Sequence, residues 1–268
     1  MVQIQPEQVK QIELELLQIF NKWCEDNSIH YTLGFGTLLG AIRHHGFIPW
    51  DDDIDVYVFR SDYEKIPELQ KKNPFSSDVE LVCLSDKYQY PFMKLCSKKT
   101  IVFENGIETG HGIWIDIFPL DKTPSQSGVF KRQMHIARFL RAVIIAGNTN
   151  LRTLSFDKKW LPKVISNICG RLIGIKRLCS IADKNAQKYN NCDSQNIACI
   201  IWGYSVKDSM KSESFFTSEK VIFEQSFFPI PLCWDDHLKG LYGDYMTPPP
   251  VTNQVRHHIE AYFREERY

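Results

Sequence analysis

Four aspartates fall within five positions, at Asp51, Asp52, Asp53 and Asp55, and a run rich in β-branched and aromatic residues ends at Phe59 directly after them. Carboxylates packed this closely repel one another. At neutral pH they need full solvation, strongly shifted pKa values or a neutralising cation, and a hard divalent metal is the simplest neutraliser. An extended backbone here puts Asp51, Asp53 and Asp55 on one face and Asp52 on the other, because side chains alternate with a period of two. Asp53 and Asp55 would then share one metal site. Upstream, Gly34 to Thr37 reads as a turn releasing the chain into a helix from about Leu38 to His44. The amides of such a turn and the helix N-terminus behind it suit phosphate oxygens, which makes Gly36 and Thr37 candidate contacts. Downstream, in the stretch HGIWIDIFPLD at 111–121, alternation places Ile113, Ile115 and Ile117 on one face. Asp116 falls on the other, between Trp114 and Phe118, as a candidate third carboxylate.

Other carboxylate motifs fit less well. An EF-hand loop starting at Asp51 needs Gly at its sixth position and Glu at its twelfth, where this chain has Val56 and Asp62. Asp51, Asp52 and Asp55 spell the DDxxD that isoprenoid synthases carry on a helix, but Ile54 to Phe59 alternates and is rich in β-formers. The short D-x-D of metal-dependent glycosyltransferases stays open. A Gly-Thr turn, a D-x-D sixteen residues on and a lone strand carboxylate form together the plan of the nucleotidyltransferase superfamily. In that plan the three acids hold one or two Mg²⁺ ions, or Mn²⁺, which stabilise charge on a transferring phosphoryl group. Arg43, at the end of the helix with His44 and His45, is either a diphosphate contact or an ordinary helix C-terminal cation. Lys94 shares a strand face with Phe92 and Cys96 and is a candidate phosphate or nucleotide contact.

The elements around these residues can be read from periodicity. Gln5 to Asp26 should be a helix packing through Val9, Ile12, Leu16, Phe20 and Trp23. Ser61 and Glu64 match a capping box opening a helix to about Lys72. Val79–Leu84, Phe92–Cys96 and Thr100–Phe103 read as strands of a meander or hairpin. Lys122 to Gly128 is polar and contains proline, the best internal boundary, and 129–190 reads as wholly helical. Ile197–Trp202 reads as a strand, Phe215–Leu232 as irregular, Trp234–Tyr242 as a helix ended by Gly243, and 255–268 as a charged terminal helix.

Composition is that of an ordinary globular protein of 268 residues with a net charge of zero. That zero conceals an asymmetry: residues 129–190 carry thirteen Lys and Arg against Asp157 and Asp183 alone. A basic middle reads either as solvated Lys and Arg on the outer faces of packed helices or as a surface for an anionic membrane or a lipid-linked acceptor, and the apolar stripe of Ile136, Phe139, Leu140, Val143 and Ile144 serves either purpose. No recognised nucleic-acid module is present. Glu7, Glu13, Glu15, Glu25 and Asp26 argue against a signal peptide, and eight cysteines without a CxxC pair read as reduced thiols. The expected setting is the cytoplasm, with contact at the inner face of the membrane.

Three phrases, GFGTLLGAIRHHGFIPWDDDIDV at 34–56, GIWIDIFPLD at 112–121 and LYGDYMTPPP at 241–250, together resemble the LicD family of phosphocholine transferases, relatives of fukutin and fukutin-related protein. The resemblance covers most of 1–121 and the short terminal motif; the basic middle carries no matching motif. It implies an α/β fold with a nucleotidyltransferase-like mixed sheet flanked by helices and followed by a mainly helical region. Residues 1–121 would be the catalytic core and 122–268 an acceptor-side region whose terminal motif packs back on the core. The implied reaction moves a phosphorylated alcohol from a CDP-alcohol donor, typically CDP-choline, to a sugar hydroxyl of a teichoic acid or lipopolysaccharide precursor, with CMP leaving. Asp53 and Asp55 become metal ligands, Asp51 a ligand or outer-shell partner, and Asp116 a ligand or general base. Gly36 and Thr37 would lie against the donor phosphates.

Overall fold

The protein's structure, a computed structural model, describes residues 2–85, 87–104, 107–150, 160–254 and 259–264. It opens with β1 (Gln3–Ile4) and α1 (Pro6–Asn27). Pro6 occupies the first turn, where its missing amide costs nothing, and Gln5 and Gln8 form a reciprocal capping box. Val9, Leu16, Phe20 and Trp23 are buried along one face of α1 as expected. Next come β2 (Tyr31–Leu33), α2 (Phe35–His44) and β3 (Asp55–Phe59). The helix begins three residues earlier than the turn signal suggested, so Gly36 and Thr37 lie inside its first turn. The strand begins at Asp55, and Asp51 to Ile54 approach it without strand pairing.

The single helix expected from Ser61 is broken into α3 (Arg60–Tyr63) and α4 (Ile66–Lys72), and the Ser61–Glu64 capping box does not form, because Phe59 is the N-cap. Pro67 accounts for the break: within a continuous helix it would remove a backbone bond, whereas in the first turn of α4 it removes none. The strands β4 (Val79–Val82) and β5 (Met93–Ser97) form the expected hairpin. By contrast β6 (Thr100–Glu104) leaves that sheet and pairs with β7 (Ile107–Glu108). The long strand β8 (Trp114–Lys122) is followed by α5 (Ser127–Asn148), α6 (Trp160–Ile173) and α7 (Ile175–Gln187). Residues 151–159 of the expected helical stretch lie outside the described residues. Gly174, at φ +90, separates α6 from α7.

After α7 the expected six-residue strand shrinks to β9 (Asn196–Ala198), which pairs with β10 (Met210–Lys211). The segment read as irregular is in fact ordered, as α8 (Ser212–Phe216) followed by the hairpin β11 (Ser218–Phe223) and β12 (Ser226–Pro231). Pro229 and Pro231 disguise it in sequence; a two-stranded ribbon tolerates them because each strand keeps one open edge. Helix α9 (Trp234–Tyr242) ends at Gly243, φ +71, as its sequence indicates. The expected terminal helix is replaced where it is described: Ile259–Phe263 is strand β13, held between β1 and β6. Its Ile-Glu-Ala-Tyr-Phe alternation turns Ala261 into the core. The rest of that segment, 255–258 and 265–268, lies outside the described residues.

The central sheet runs β10-β9-β8-β3-β2, with β4 and β5 attached through β8. One edge of β8 pairs in parallel with β3; the other is shared by β5 toward its start and β9 at its end. This mixed α/β architecture is the one the motifs implied. Ile113, Ile115 and Ile117 are fully buried on the face that joins α1 in the main core. The opposite face carries Tyr57, Phe92 and Phe118 into a second cluster with Phe130 and Met134 of α5 and residues 197–201. Chain from the second half therefore roofs the face that bears the carboxylates.

A buried polar pair lies where α9 meets this roof. His237 Nε2 stands 3.6 Å from Asp208 Oδ1, and both side chains are wholly buried. Burial holds the imidazole down to about 4 and pushes the Asp208 carboxyl up, so both favour their neutral forms. A histidine whose folded pKa is depressed contributes stability that is present above its unfolded pKa of about 6.5 and lost as pH falls toward 4. The His237 contribution to the unfolding free energy should fall by about 3 kcal/mol across that window, against an opposite contribution from carboxyls raised by burial such as Asp208, so it reads out as the difference between the wild type and a variant lacking the imidazole. Urea titrations of the wild type and His237→Gln at several pH values check it.

Candidate active site

The site is built where β3, β8 and β5 lie side by side. Asp55 on β3 is the register partner of Asp116 on β8, and Asp116 is in turn the partner of Lys94 on β5. Residues opposite one another on neighbouring strands project to the same face, so Lys94, Asp116 and Asp55 form a row. Lys94 Nζ lies 2.7 Å from Asp116 Oδ1 and 3.9 Å from the centre of the Trp114 ring. The ammonium is thus held between a carboxylate and an aromatic face, and it is buried.

Two further contacts fix the height of Asp55. Its amide donates to Thr37 Oγ1 at 2.8 Å, and its carbonyl accepts from the Gly34 amide at 2.9 Å. Helix α2 and strand β3 are therefore clamped together directly beneath the acids. Thr37, 4 % exposed, stands behind the cavity wall and braces the strand. Gly36 does reach the cavity, and a Cβ there would come within 2.5 Å of Asp51 Oδ2. The Asp51 carboxylate thus rests against the first turn of α2, where the helix dipole favours negative charge. Gly36→Ala forces that carboxylate away. We expect kcat/KM for the donor to fall by about 10²-fold with little change in melting temperature, which steady-state kinetics and a thermal melt would check.

The electrostatics follow from this crowding. Burial pushes the Asp55 carboxyl well above the usual carboxylate range, and Asp53, Asp116 and Asp51 push it further. Burial also raises Asp116, opposed by Lys94, with Asp53 adding to the rise. Glu13, wholly buried on α1, is raised by burial and then by Asp53 and Asp52. The negative field of the cluster reaches into the core.

Two chambers meet over this row. One, about 690 Å³, is lined by Gly36, Arg43, Asp51, Asp55, Tyr242 and Asp244 among others. The second, about 770 Å³, extends from Asp52 past Lys94 and His111 to Glu104 and Glu108. Both are bounded by Asp53, Asp116, Phe92 and Trp202. Arg43 is held in the first chamber by its Nη1 donating to the Tyr245 carbonyl at 2.6 Å, and burial lowers its pKa. His44 and His45 fall outside both walls; His45 is instead the left-handed C-cap of α2. His111 is buried, its pKa lowered to about 4 by burial and by Lys94. Since its Nδ1 lies 3.0 Å from the Gly112 carbonyl, that nitrogen carries the proton and Nε2 is left as an acceptor.

Comparison with known proteins now decides the family. The family described as LicD/FKTN/FKRP, nucleotidyltransferase domain, matches residues 28–162. The lipopolysaccharide cholinephosphotransferase LicD of Haemophilus influenzae is 31 % identical over 262 residues, covering 93 % of this chain and 94 % of that one. The chain belongs to the LicD family. Uncharacterised proteins of Rickettsia prowazekii and Rickettsia typhi are each 42 % identical over 48 residues, 18 % of this chain and 18 % and 16 % of theirs.

Within this LicD-family chain, Asp51, Asp53, Asp55, Asp116, Gly36, Arg43 and Lys94 all reach one chamber or the other. Among the described residues no three acidic, His or Cys side chains are closed into a ready cluster for one ion. The residues nevertheless fit a divalent cation. Asp55 and Asp116 are register neighbours whose ionised forms are disfavoured by burial and by Asp53, and a cation beside them would relieve that cost. Carboxylate oxygens alone suit Mg²⁺ or Mn²⁺. Asp53, Asp55 and Asp116 would hold it, with Asp51 at the edge. Sequence reasoning overlooked Asp244, Glu104, Glu108 and His111. Of these, Asp244 belongs to the terminal YGDY motif and His111 opens the HGIWIDIFPLD stretch, whereas Glu104 and Glu108 stand in neither.

Proposed function

We propose that the chain transfers a phospho-alcohol, phosphocholine from CDP-choline, to a sugar hydroxyl of a cell-surface glycan precursor, releasing CMP. The observation that carries this reading is the in-register row Lys94–Asp116–Asp55 lying at the boundary of two chambers. One chamber has the donor chemistry: Gly36 at a helix N-terminus for phosphate oxygens, and Arg43 two turns further along the same helix on the chamber wall. The other leaves room for an acceptor. Family membership and the Haemophilus relative, named for choline phosphate and lipopolysaccharide, support the choice of donor and acceptor.

In this mechanism the acceptor hydroxyl attacks the phosphorus that bears the alcohol, in line with the bridging oxygen of the diphosphate. The new O–P bond forms as the bond to CMP breaks, and CMP leaves with the electron pair. Asp116 takes the hydroxyl proton itself, or would help hold the cation while that proton passes to solvent. Lys94 fixes the Asp116 carboxylate and supplies positive charge to the developing phosphoryl oxygens. A bound Mg²⁺ supplies charge neutralisation at the transferring phosphorus. A quaternary ammonium has no hydrogen to donate, so its recognition falls to ring faces; Trp202, Tyr204 and Tyr242 border the donor chamber.

Purified protein incubated with Mg²⁺ and a panel of CDP-alcohols tests the reading. CMP release with CDP-choline supports it, and preference for CDP-ribitol, CDP-glycerol or CDP-ethanolamine would replace the alcohol while keeping the chemistry. A D-x-D site serves glycosyl transfer equally well on motif grounds, and its product would be a nucleoside diphosphate; a nucleotidyl transferase would release pyrophosphate. We place the reaction in the cytoplasm at the membrane's inner face, where a nucleotide-activated donor would meet a lipid-linked acceptor.

A further inference from the structure

Helix α6 is amphipathic the wrong way round for a helix in water. Its inner face, against α5, is polar or small: Asn167 is 1 % exposed and donates to the carbonyls of Ala146 and Thr149 at 2.6 and 2.8 Å. At Gly170 a Cβ would come within 3.0 Å of the Val143 carbonyl and 3.3 Å of Gly147 Cα, so the two helices cross in close backbone contact. The large apolar residues point outward. Leu161, Ile165, Ile168 and Leu172 recur at steps of four, three and four, and are 59 %, 52 %, 48 % and 81 % exposed. A soluble helix turns such a stripe into the core. A contiguous exposed stripe marks a surface that meets something apolar.

The charges around it say what. No acidic residue occurs in α5 or α6, and the one in α7, Asp183, is paired with Arg60 Nη1 at 2.9 Å. Basic residues occupy the same three mutually packed helices, with Arg132, Arg138, Arg171 and Arg177 exposed. Phe139 of α5, 67 % exposed, and Ile181 of α7 flank a further apolar depression bordered by Lys131 and Arg132. An apolar stripe on helices whose exposed charges, among the described residues, are predominantly basic matches the interface of an anionic leaflet, where apolar side chains enter the acyl boundary and cations meet headgroups. A second copy of the chain would bring the same cations face to face and be repelled. No described helix is long and apolar enough to cross a membrane, so the contact is peripheral.

We infer that the outer face of α6, with the basic flanks of α5 and α7, is the surface by which this chain docks on an anionic lipid bilayer. The inference rests on surface chemistry and holds whether or not the transfer reaction proposed above is correct. It predicts that the face lies parallel to the membrane.

Sedimentation of the full chain with phosphatidylcholine vesicles, with and without phosphatidylglycerol, tests it in the absence of any donor or acceptor. The protein should pellet with the anionic vesicles, weakly or not at all with the neutral ones, and be released as salt is raised. Ile165→Glu/Leu172→Glu should lower the partition coefficient about a hundredfold. Both positions are exposed, so an unchanged thermal melt shows that folding is intact. Arg171→Glu/Arg177→Glu should weaken binding to anionic vesicles while leaving the small neutral-vesicle fraction unchanged. The inference is overturned if the parent fails to pellet with anionic vesicles, or if the Ile165→Glu/Leu172→Glu protein pellets as the parent does. It is likewise overturned if the parent is a dimer that those substitutions dissociate and neither form binds vesicles, because the stripe is then a subunit interface.

Discussion

Asp55→Asn should abolish phosphoryl transfer and stabilise the protein in the same stroke. Asn keeps the shape of the side chain and removes its charge. With a candidate metal ligand lost, turnover should drop on the order of 10³-fold or more, the scale of removing one preorganised electrostatic group. Stability moves the other way because the wild-type carboxyl is raised by burial and by Asp53, Asp116 and Asp51. An acid whose folded pKa lies above its unfolded value contributes stability that is fully present below the unfolded pKa and lost as pH rises through the folded one. The metal-free wild type should therefore lose stability from acid toward neutral pH on account of this group, and the Asn variant should not. Thermal melts in EDTA at several pH values, together with CMP release in Mg²⁺, measure both halves. Near-normal turnover in the variant would remove Asp55 from the chemistry.

The second large effect is structural. Arg60 donates from Nε and Nη2 to the two oxygens of Asp121, each at 2.7 Å, and Asn190 Nδ2 donates to Asp121 Oδ1 at 2.7 Å. Burial alone would lower the guanidinium pKa; Asp121 outweighs it and raises the value. The pair lies at the C-terminal ends of β3 and β8, and Nη1 of the same arginine reaches Asp183 of α7, so one side chain ties the sheet to the helical half. Arg60→Ala leaves Asp121 buried with its main partner gone, and should cost about 3–5 kcal/mol in urea unfolding. Arg60→Met with Asp121→Leu should recover most of that loss, since paired charges and well-packed apolar groups are nearly equivalent in a core. Equal losses in the single and double variants would show that packing, and not the stranded charge, sets the cost.

These two acids illustrate what a sequence discloses and what it withholds. Asp116 was legible because it breaks an apolar alternation, and the D-x-D because repulsion among neighbours demands an explanation. Their relation was not legible: that Asp55 and Asp116 are register partners depends on β3 and β8 pairing in parallel, a contact between residues some sixty positions apart. Asp121, five residues beyond Asp116, looked like the end of a motif, and only the fold reveals Arg60 closing on it. Local signals succeeded where one element carries its own period, as in α1 and α9. They failed where partners came from afar: β13 has too few residues to declare itself without β1 and β6, and the β11–β12 hairpin was masked by its prolines. The apolar stripe read on α5 divides in the fold: Leu140, Val143 and Ile144 are buried against α7, Ile136 and Phe139 stay exposed, and a longer outward stripe lies on α6.

The central claim is that Asp53, Asp55 and Asp116 hold a divalent cation beside a nucleotide diphosphate. Mn²⁺ binding followed by electron paramagnetic resonance, with and without CDP-choline, tests it most directly. The account predicts that Mn²⁺ binds the wild type, binds more tightly when CDP-choline is present, broadens the phosphorus resonances of that donor, and is lost in Asp53→Asn, Asp55→Asn and Asp116→Asn. Equal Mn²⁺ affinity in wild type and all three variants, with the donor's phosphorus signals unperturbed, would contradict it.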